Sequence, residues 1–199
     1  MIILFSGRAG VGKSTSARLL KDCLFEYNQY VEIHPLASEV KSLAYEFGWD
    51  GNKDERGRQL LINIGTVTGR AYDPDIWVKR VLKDITNNLD NQKDYAIIDD
   101  WRFPNEAEYL EQNSSHKIIR IRIEAPNREM LKGTSNYNDI SEISLPSDFI
   151  IKGEPLRFQR YKNYGQYYDY VIDNTGTIEQ LENIIYRLGE ELYARTVPN

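Results

Sequence analysis

The sequence is nearly without cysteine. Cys23 is the only one in 199 residues, so no internal disulfide can form, and a reducing cytoplasm is the expected compartment. Histidine is almost as scarce. His34 and His116 are too few and too isolated for a metal cluster or a catalytic triad, and both are expected to be structural. Nowhere do the ~18 successive apolar residues of a membrane span occur, and the opening run Ile2 to Phe5 is too short for a signal peptide. An excess of basic residues is missing too. A net charge of −5 argues against a nucleic-acid coat or any stable nucleic-acid partner, because such proteins gain affinity by neutralising many phosphates with lysine and arginine. No repeat or low-complexity linker divides the chain. Residues 1–199 are expected to form one domain, long enough to bury roughly 70% of the surface of the unfolded chain.

What is present is an alternation of strand-like and helix-like patterns, which implies an α/β fold. Residues 1–6 form an apolar run suited to a buried parallel strand, and Leu20, Cys23, Leu24 and Tyr27 follow at helical spacing. A second strand is predicted from Tyr30 to His34. Ser38 can cap a helix whose buried face is Val40, Leu43, Ala44 and Phe47, ended by Gly48, and Asp54 can cap another carrying Leu60, Leu61 and Ile64. Asp73-Pro74 reads as N-cap and first residue of a helix with Val78, Val81, Leu82, Ile85 and Leu89 inside. Tyr95 to Ile98 and Ile118 to Ile123 read as strands. A last strand ends at Ile172, and Thr177 with Gln180 forms a capping box for a closing helix built on Leu181, Ile184, Ile185, Leu188 and Leu192. Five strands with intervening helices predict a doubly wound, mostly parallel sheet that binds ligands at the carboxyl ends of its strands.

The chemistry begins at the end of the first strand. Gly7-x-x-x-x-Gly12-Lys13-Ser14 lies between strand and helix, where successive N–H groups and the helix dipole make a nest for phosphate. Residues Gly7, Arg8, Ala9, Gly10, Val11, Gly12, Lys13, Ser14 and Thr15 are therefore expected to hold ATP, with Lys13 on the β- and γ-phosphates and the Ser14 hydroxyl in the Mg²⁺ shell. A carboxylate is needed opposite. Asp99-Asp100 ends an apolar strand, and alternation would send the two side chains to opposite faces. Asp100 is preferred for the metal and the acceptor because it would share a side with Arg102.

The acceptor is suggested by a stretch that combines phosphate forks with flat stacking surfaces: Arg56, Arg58 and Arg70, with Tyr72 and Trp77. These residues resemble the deoxynucleoside monophosphate kinases of bacteriophages, within the P-loop kinase group. The likeness runs through "GRAGVGKST", "LASEVKSLAYEFGW", "KDERGRQLLINIGT", Arg70 with "DPDIW", "IIDDWRFPNEAEYL", "DISE" and "YDYVIDNTGTIEQL". It departs at Asn138-Asp139-Ile140-Ser141-Glu142, where the family pattern often has a histidine before Ser-Glu. The resemblance implies a three-layer P-loop kinase fold with a mobile lid. It also implies ATP- and Mg²⁺-dependent phosphorylation of a deoxynucleoside monophosphate, in a host's cytoplasm if the chain is a phage's. It carries acceptor roles onto Lys41, Arg70, Trp77, Asp100 and Arg102, with Lys13, Arg70 and Asp100 as the catalytic set.

Phosphoryl transfer must exclude water, so a closing segment is expected, and the irregular stretch 125–164 with Arg128, Lys132, Arg157 and Arg160 is the candidate. An exposed edge helix could pair two copies, though nothing in the sequence requires it. A GTPase lacks support, since "NKDE" at 52–55 is a poor guanine reader. A small-metabolite kinase shares the architecture, and "RFQRYKNYGQYYDY" has the basic-aromatic interleaving of a polynucleotide kinase. A regulatory module that binds nucleotide without turnover is the non-enzymatic alternative. Base preference and ribose selectivity are not legible.

Overall fold

The five predicted strands form one sheet whose pairings are all parallel. They are β1 (Ile2–Ser6), β2 (Val31–Ile33), β3 (Tyr95–Ile98), β4 (Ile118–Glu124) and β5 (Tyr170–Asp173), in the order β2-β3-β1-β4-β5. The computed structural model describes residues 1–88, 94–128, 132–133, 143–145 and 167–196. Ile3 of the central strand pairs with Ile97 on one side and Ile119 on the other. Each is wholly buried, as a strand covered on both faces requires.

Two apolar layers cover the sheet. On one face α1 (Lys13–Glu26) and the closing helix α6 (Ile178–Ala194) pack over Ile3, Phe5, Ile119, Ile121 and Ile123. On the other, α4 (Ile76–Asn88) and α5 (Pro104–Asn113) pack over Ile2, Leu4, Ala96 and Ile98. Strand alternation sends odd and even residues of β1 to the two layers. Beyond the carboxyl ends of β2 and β3 stand α2 (Ser38–Glu46) and α3 (Glu55–Ile62), the latter continuing into a π-helical segment, Asn63–Arg70. This is the expected three-layer α/β fold, with the glycine loop between β1 and α1. The region proposed as a lid falls mostly outside the described residues, as do Leu89, Arg157, Arg160 and the Asp139–Glu142 motif.

Several local expectations need correction. The N-cap of α2 is Ala37, while Ser38 turns its hydroxyl back onto the Pro35 carbonyl at 2.7 Å. Phe47, placed on a buried stripe by periodicity, is 72% exposed because α2 ends at Glu46 and the chain turns away. Asp73 accepts from the Asp75 N–H, but α4 starts only at Ile76. Arg70, which the sequence places between Gly69 and the Asp73 cap, ends the π segment. Helix α5 went unread, although Pro104 at its first position and Glu106 at its third are a start signal. The caps at Asp54, which accepts from the Gly57 N–H at 2.7 Å, and at Thr177–Gln180 form as expected.

Cys23 packs in the seam between α1 and α6, its sulfur facing Gly189. Burial pushes its thiol up to about 11, with Glu26 and Glu190 adding to the shift. At pH 8 only ~0.1% of such a thiol is thiolate, the reactive form. Ellman's reagent should therefore label the native protein at least about a hundredfold more slowly than the urea-unfolded chain. Similar rates would show that the seam opens.

Candidate active site

A cavity of about 410 Å³ opens at the carboxyl ends of the strands and is lined by both the glycine loop and the α2–α4 region. The loop's shape follows from its glycines. Gly7, Gly10 and Gly12 have φ of 145°, 89° and 103°, conformations that side-chain-bearing residues rarely adopt. At Gly12 there is also no room: a Cβ would lie 2.5 Å from Asn174 Nδ2. That amide donates to the Val11 carbonyl at 2.9 Å and is itself buried, so Asn174, just beyond β5, pins the loop from behind. Sequence reasoning missed it. Lys13 Nζ donates to the carbonyls of Gly7 and Arg8 at 2.6 and 2.8 Å. Ala9, Gly10, Lys13 and Ser14 line the cavity, whereas Gly7, Arg8, Val11, Gly12 and Thr15 shape or flank the loop without lining it. Arg128, offered as a lid cation, is instead bonded to Asn174 Oδ1 and the Gly176 carbonyl, and Lys132 is exposed.

The paired carboxylates are arranged differently from the expectation. Because β3 ends at Ile98, Asp99 and Asp100 lie in a turn and both line the same cavity. Strand alternation does not separate them. Asp100 is fully engaged: Oδ1 accepts from the Leu36 N–H at 2.7 Å and Oδ2 from the Ala37 N–H at 2.9 Å, which ties β3 to the entrance of α2. Burial and neighbouring Asp99 push its carboxyl above the usual range, opposed by those two N–H groups and Arg102. Asp99 Oδ1, by contrast, is buried without a hydrogen-bond partner among the described residues. It is the better donor for a cation. Together with the exposed Ser14 hydroxyl it offers Mg²⁺ two oxygens on one cavity, leaving other positions to phosphate and water as that ion prefers.

The far wall is cationic. Lys13, Lys41, Lys53, Arg58, Arg70 and Arg102 share the cavity with only two carboxylates, in a protein of net charge −5. Among the described residues the side chains of Lys41, Lys53 and Arg58 form no hydrogen bond or ion pair. Burial pushes the Lys53 ammonium below its ordinary value, and Lys41, Arg58 and Arg102 push it further. Lys53 was not singled out in the sequence, where nothing distinguishes it from a surface lysine. Arg56 and Tyr72 lie outside the cavity, Tyr72 at 87% exposure.

Arg70 and Trp77 reach the cavity together. Arg70 bonds to Glu106 Oε1 and, through Nη1, to the Gly65 carbonyl at 3.1 Å, with its guanidinium 4.2 Å from the centre of the Phe103 ring. Trp77 is buried and donates to the same Gly65 carbonyl at 2.8 Å. Val40, Leu61 and Ile62 complete an apolar patch beside the cations.

No protein-family model matches the chain, and no curated protein does. Among solved structures it is similar to the crystal structure of APE1195, at 14% identity over 97% of this chain and 96% of that one, with a TM-score of 0.52. It is also similar to a gluconokinase from Sinorhizobium meliloti 1021, at 11% identity over 98% and 97%, with a TM-score of 0.47. At such identities the likeness is one of fold. Among the described residues no helix is long and apolar enough to cross a membrane.

Glu106 has a side-chain exposure of 2%, and among the described residues Arg70 is its only salt-bridge partner. Removing one member of such a pair commonly costs about 3–5 kcal/mol, so Arg70→Met should lower urea-unfolding stability by roughly that amount at neutral pH. Burial already pushes the Glu106 carboxyl above its ordinary 4.5, and Arg70 is the largest opposing influence. Without Arg70 the folded value rises further above the unfolded one, so the variant's deficit should be smaller in acid, grow as pH rises from the wild-type folded value to the variant's, and level off above it. A deficit independent of pH would contradict this.

Proposed function

We propose that this chain is an ATP-dependent phosphotransferase that converts a (deoxy)nucleoside 5′-monophosphate to the diphosphate. One observation carries the reading: a glycine-loop phosphate nest opens onto the same cavity as Lys41, Lys53 and Arg58, three cations unpaired among the described residues, beside a patch of Val40, Leu61, Ile62, Trp77 and Phe103. A neutral hydroxyl acceptor would give those cations nothing to neutralise. A phosphate monoester would, and its base would cover the apolar patch. The resemblance of the sequence to phage deoxynucleoside monophosphate kinases supports the same choice.

In this reading the loop N–H groups and Lys13 hold the donor's phosphates, and Lys41, Lys53, Arg58 and Arg102 hold the acceptor's. Both are thereby fixed for in-line transfer, which depends more on positioning and charge than on covalent chemistry. Ser14 and Asp99 would hold Mg²⁺, which when bound neutralises charge on the phosphate oxygens. Asp100, given the metal role from sequence, here holds the α2 entrance from which Lys41 projects. A phosphorylated small metabolite would use the same cations but leave the apolar patch uncovered.

Transfer of label from γ-³²P-ATP to a panel of nucleoside and deoxynucleoside monophosphates, a phosphorylated isoprenoid precursor, gluconate, a short oligonucleotide and water separates these readings. A monophosphate should be used at least about tenfold faster than the other classes. Lys13→Ala and Asp99→Asn should each lower kcat about a hundredfold or more with unchanged circular dichroism. Asp100→Asn should cost about 1–3 kcal/mol of stability, with a smaller loss of kcat than Asp99→Asn. A larger kcat loss at Asp100 would return the metal role to it.

A further inference from the structure

Glu106 does not line the cavity, yet the acceptor wall hangs on its two oxygens. Oε2 accepts from the backbone N–H groups of Arg102 and Phe103, both at 3.0 Å, and Oε1 accepts from Arg70. Arg70 in turn reaches the Gly65 carbonyl, where Trp77 also donates, and lies over the Phe103 ring. One carboxylate therefore joins the turn after β3, the start of α5, the π segment and, through the shared carbonyl, α4.

A helix cap would not need this arrangement. Capping α5 takes one bond, from the Phe103 N–H, and a carboxylate at the surface can make it without desolvation. Here the side chain is buried, with an exposure of 2%. Its second oxygen is committed to an arginine 36 positions away in the chain, an ionic contact that capping does not use. The π-helical stretch adds to the case. Its Gly65 carbonyl takes side-chain donors from both Arg70 and Trp77, so the register of the segment is coupled to where Glu106 holds Arg70.

We propose that Glu106 is a positioning residue for the acceptor: its buried carboxylate sets the placement of Arg102, Arg70 and Phe103, and so the affinity for a monophosphate, without touching it. This rests on the acceptor reading given above. Glutamine at this position supplies a single acceptor oxygen. If that oxygen serves the backbone N–H groups, the amide faces Arg70 donor to donor. If it serves Arg70, the amide faces the backbone donors. Either way half of the wall is released.

The test is calorimetric titration of a deoxynucleoside monophosphate into protein saturated with β,γ-imido-ATP, for wild type and Glu106→Gln, with steady-state kinetics alongside. The variant should bind the monophosphate about tenfold or more weakly and show a raised KM for it, while its affinity for the ATP analogue stays within about twofold. Combining it with Arg70→Lys should add less than about twofold to the larger single loss, because both changes release the same contact. Parallel weakening of both ligands would mark a purely structural role and overturn the proposal, as would monophosphate affinity within about twofold of wild type or additive losses. If wild type binds the analogue but no monophosphate, the acceptor reading fails and the role of Glu106 falls with it. Should Glu106→Gln not fold, Glu106→Asp keeps the charge but draws the oxygens back by one methylene, and the same selective loss is expected.

Discussion

A carboxylate removed from water must be surrounded by donors, and Glu106 meets that requirement by drawing together segments far apart in the chain. Its two oxygens take three donors, one from Arg70 and two from the backbone at Arg102 and Phe103. The arrangement is costly if any partner is lost, since a buried charge left unpaired is worth several kcal/mol of instability. That cost fixes where the π segment, the turn after β3 and the first turn of α5 can sit. Asp100 does the same on a smaller scale, holding the entrance of α2 through two N–H groups. The cavity is thus framed by two carboxylates committed to backbone N–H groups, Glu106 behind its wall and Asp100 on its lining.

The frame must resist a repulsion of its own making. Burial first, and then the charges of Lys41, Arg58 and Arg102, depress the Lys53 ammonium. Like charges held together in a partly enclosed space raise the energy of the folded state unless an anion joins them. The surplus of acidic residues elsewhere, which sets the net charge at −5, does not cancel this field at short range, because exposed charges beyond about 8–10 Å are screened by salt. A concentrated local cationic wall in an acidic protein is therefore selective. In the proposed reading it would draw in small phosphates and offer little to a polyanion that needs a broad basic surface.

How much of this is legible in the sequence follows from how local each feature is. The glycine loop is written in consecutive residues, and so is the apolar run of β1 that presents it. The faces of α1, α4 and α6 follow from helical spacing in Leu20, Val78 and Leu188 and their neighbours, and each of these residues is buried. Where periodicity misled, a chain ending was the reason: Phe47 fits the stripe of α2 but lies past its last turn, and Asp99 fits a strand that has stopped one residue earlier. Long-range partners could not be read at all. Nothing in the local sequence says that Asn174 will back the glycine loop, that Lys53 will reach the cation wall, or that Arg70 will be held by Glu106, because each pairing depends on the order in which the strands assemble. Glu106 was half legible, as the third residue of a helix begun by Pro104.

The same distinction separates the two halves of the site physically. The donor half is a short arc of backbone whose shape is imposed by positive φ at three glycines and by the lack of space behind Gly12, so its geometry is fixed by sterics and tolerates little substitution. The wall proposed for the acceptor is assembled from side chains contributed by α2, the loop before α3, α3 itself, the π segment and the turn after β3, and its geometry depends on hydrogen bonds to two carboxylates. Steric constraints hold over the whole range of accessible motion, whereas a hydrogen-bonded frame can repack when a single partner changes. A substitution at Val40, Leu61 or Thr66 would therefore alter the shape offered to the acceptor without disturbing the phosphate nest. In the proposed reading, acceptor choice and donor binding would therefore be separable properties of the fold, the first held by a few side chains and the second by the backbone itself.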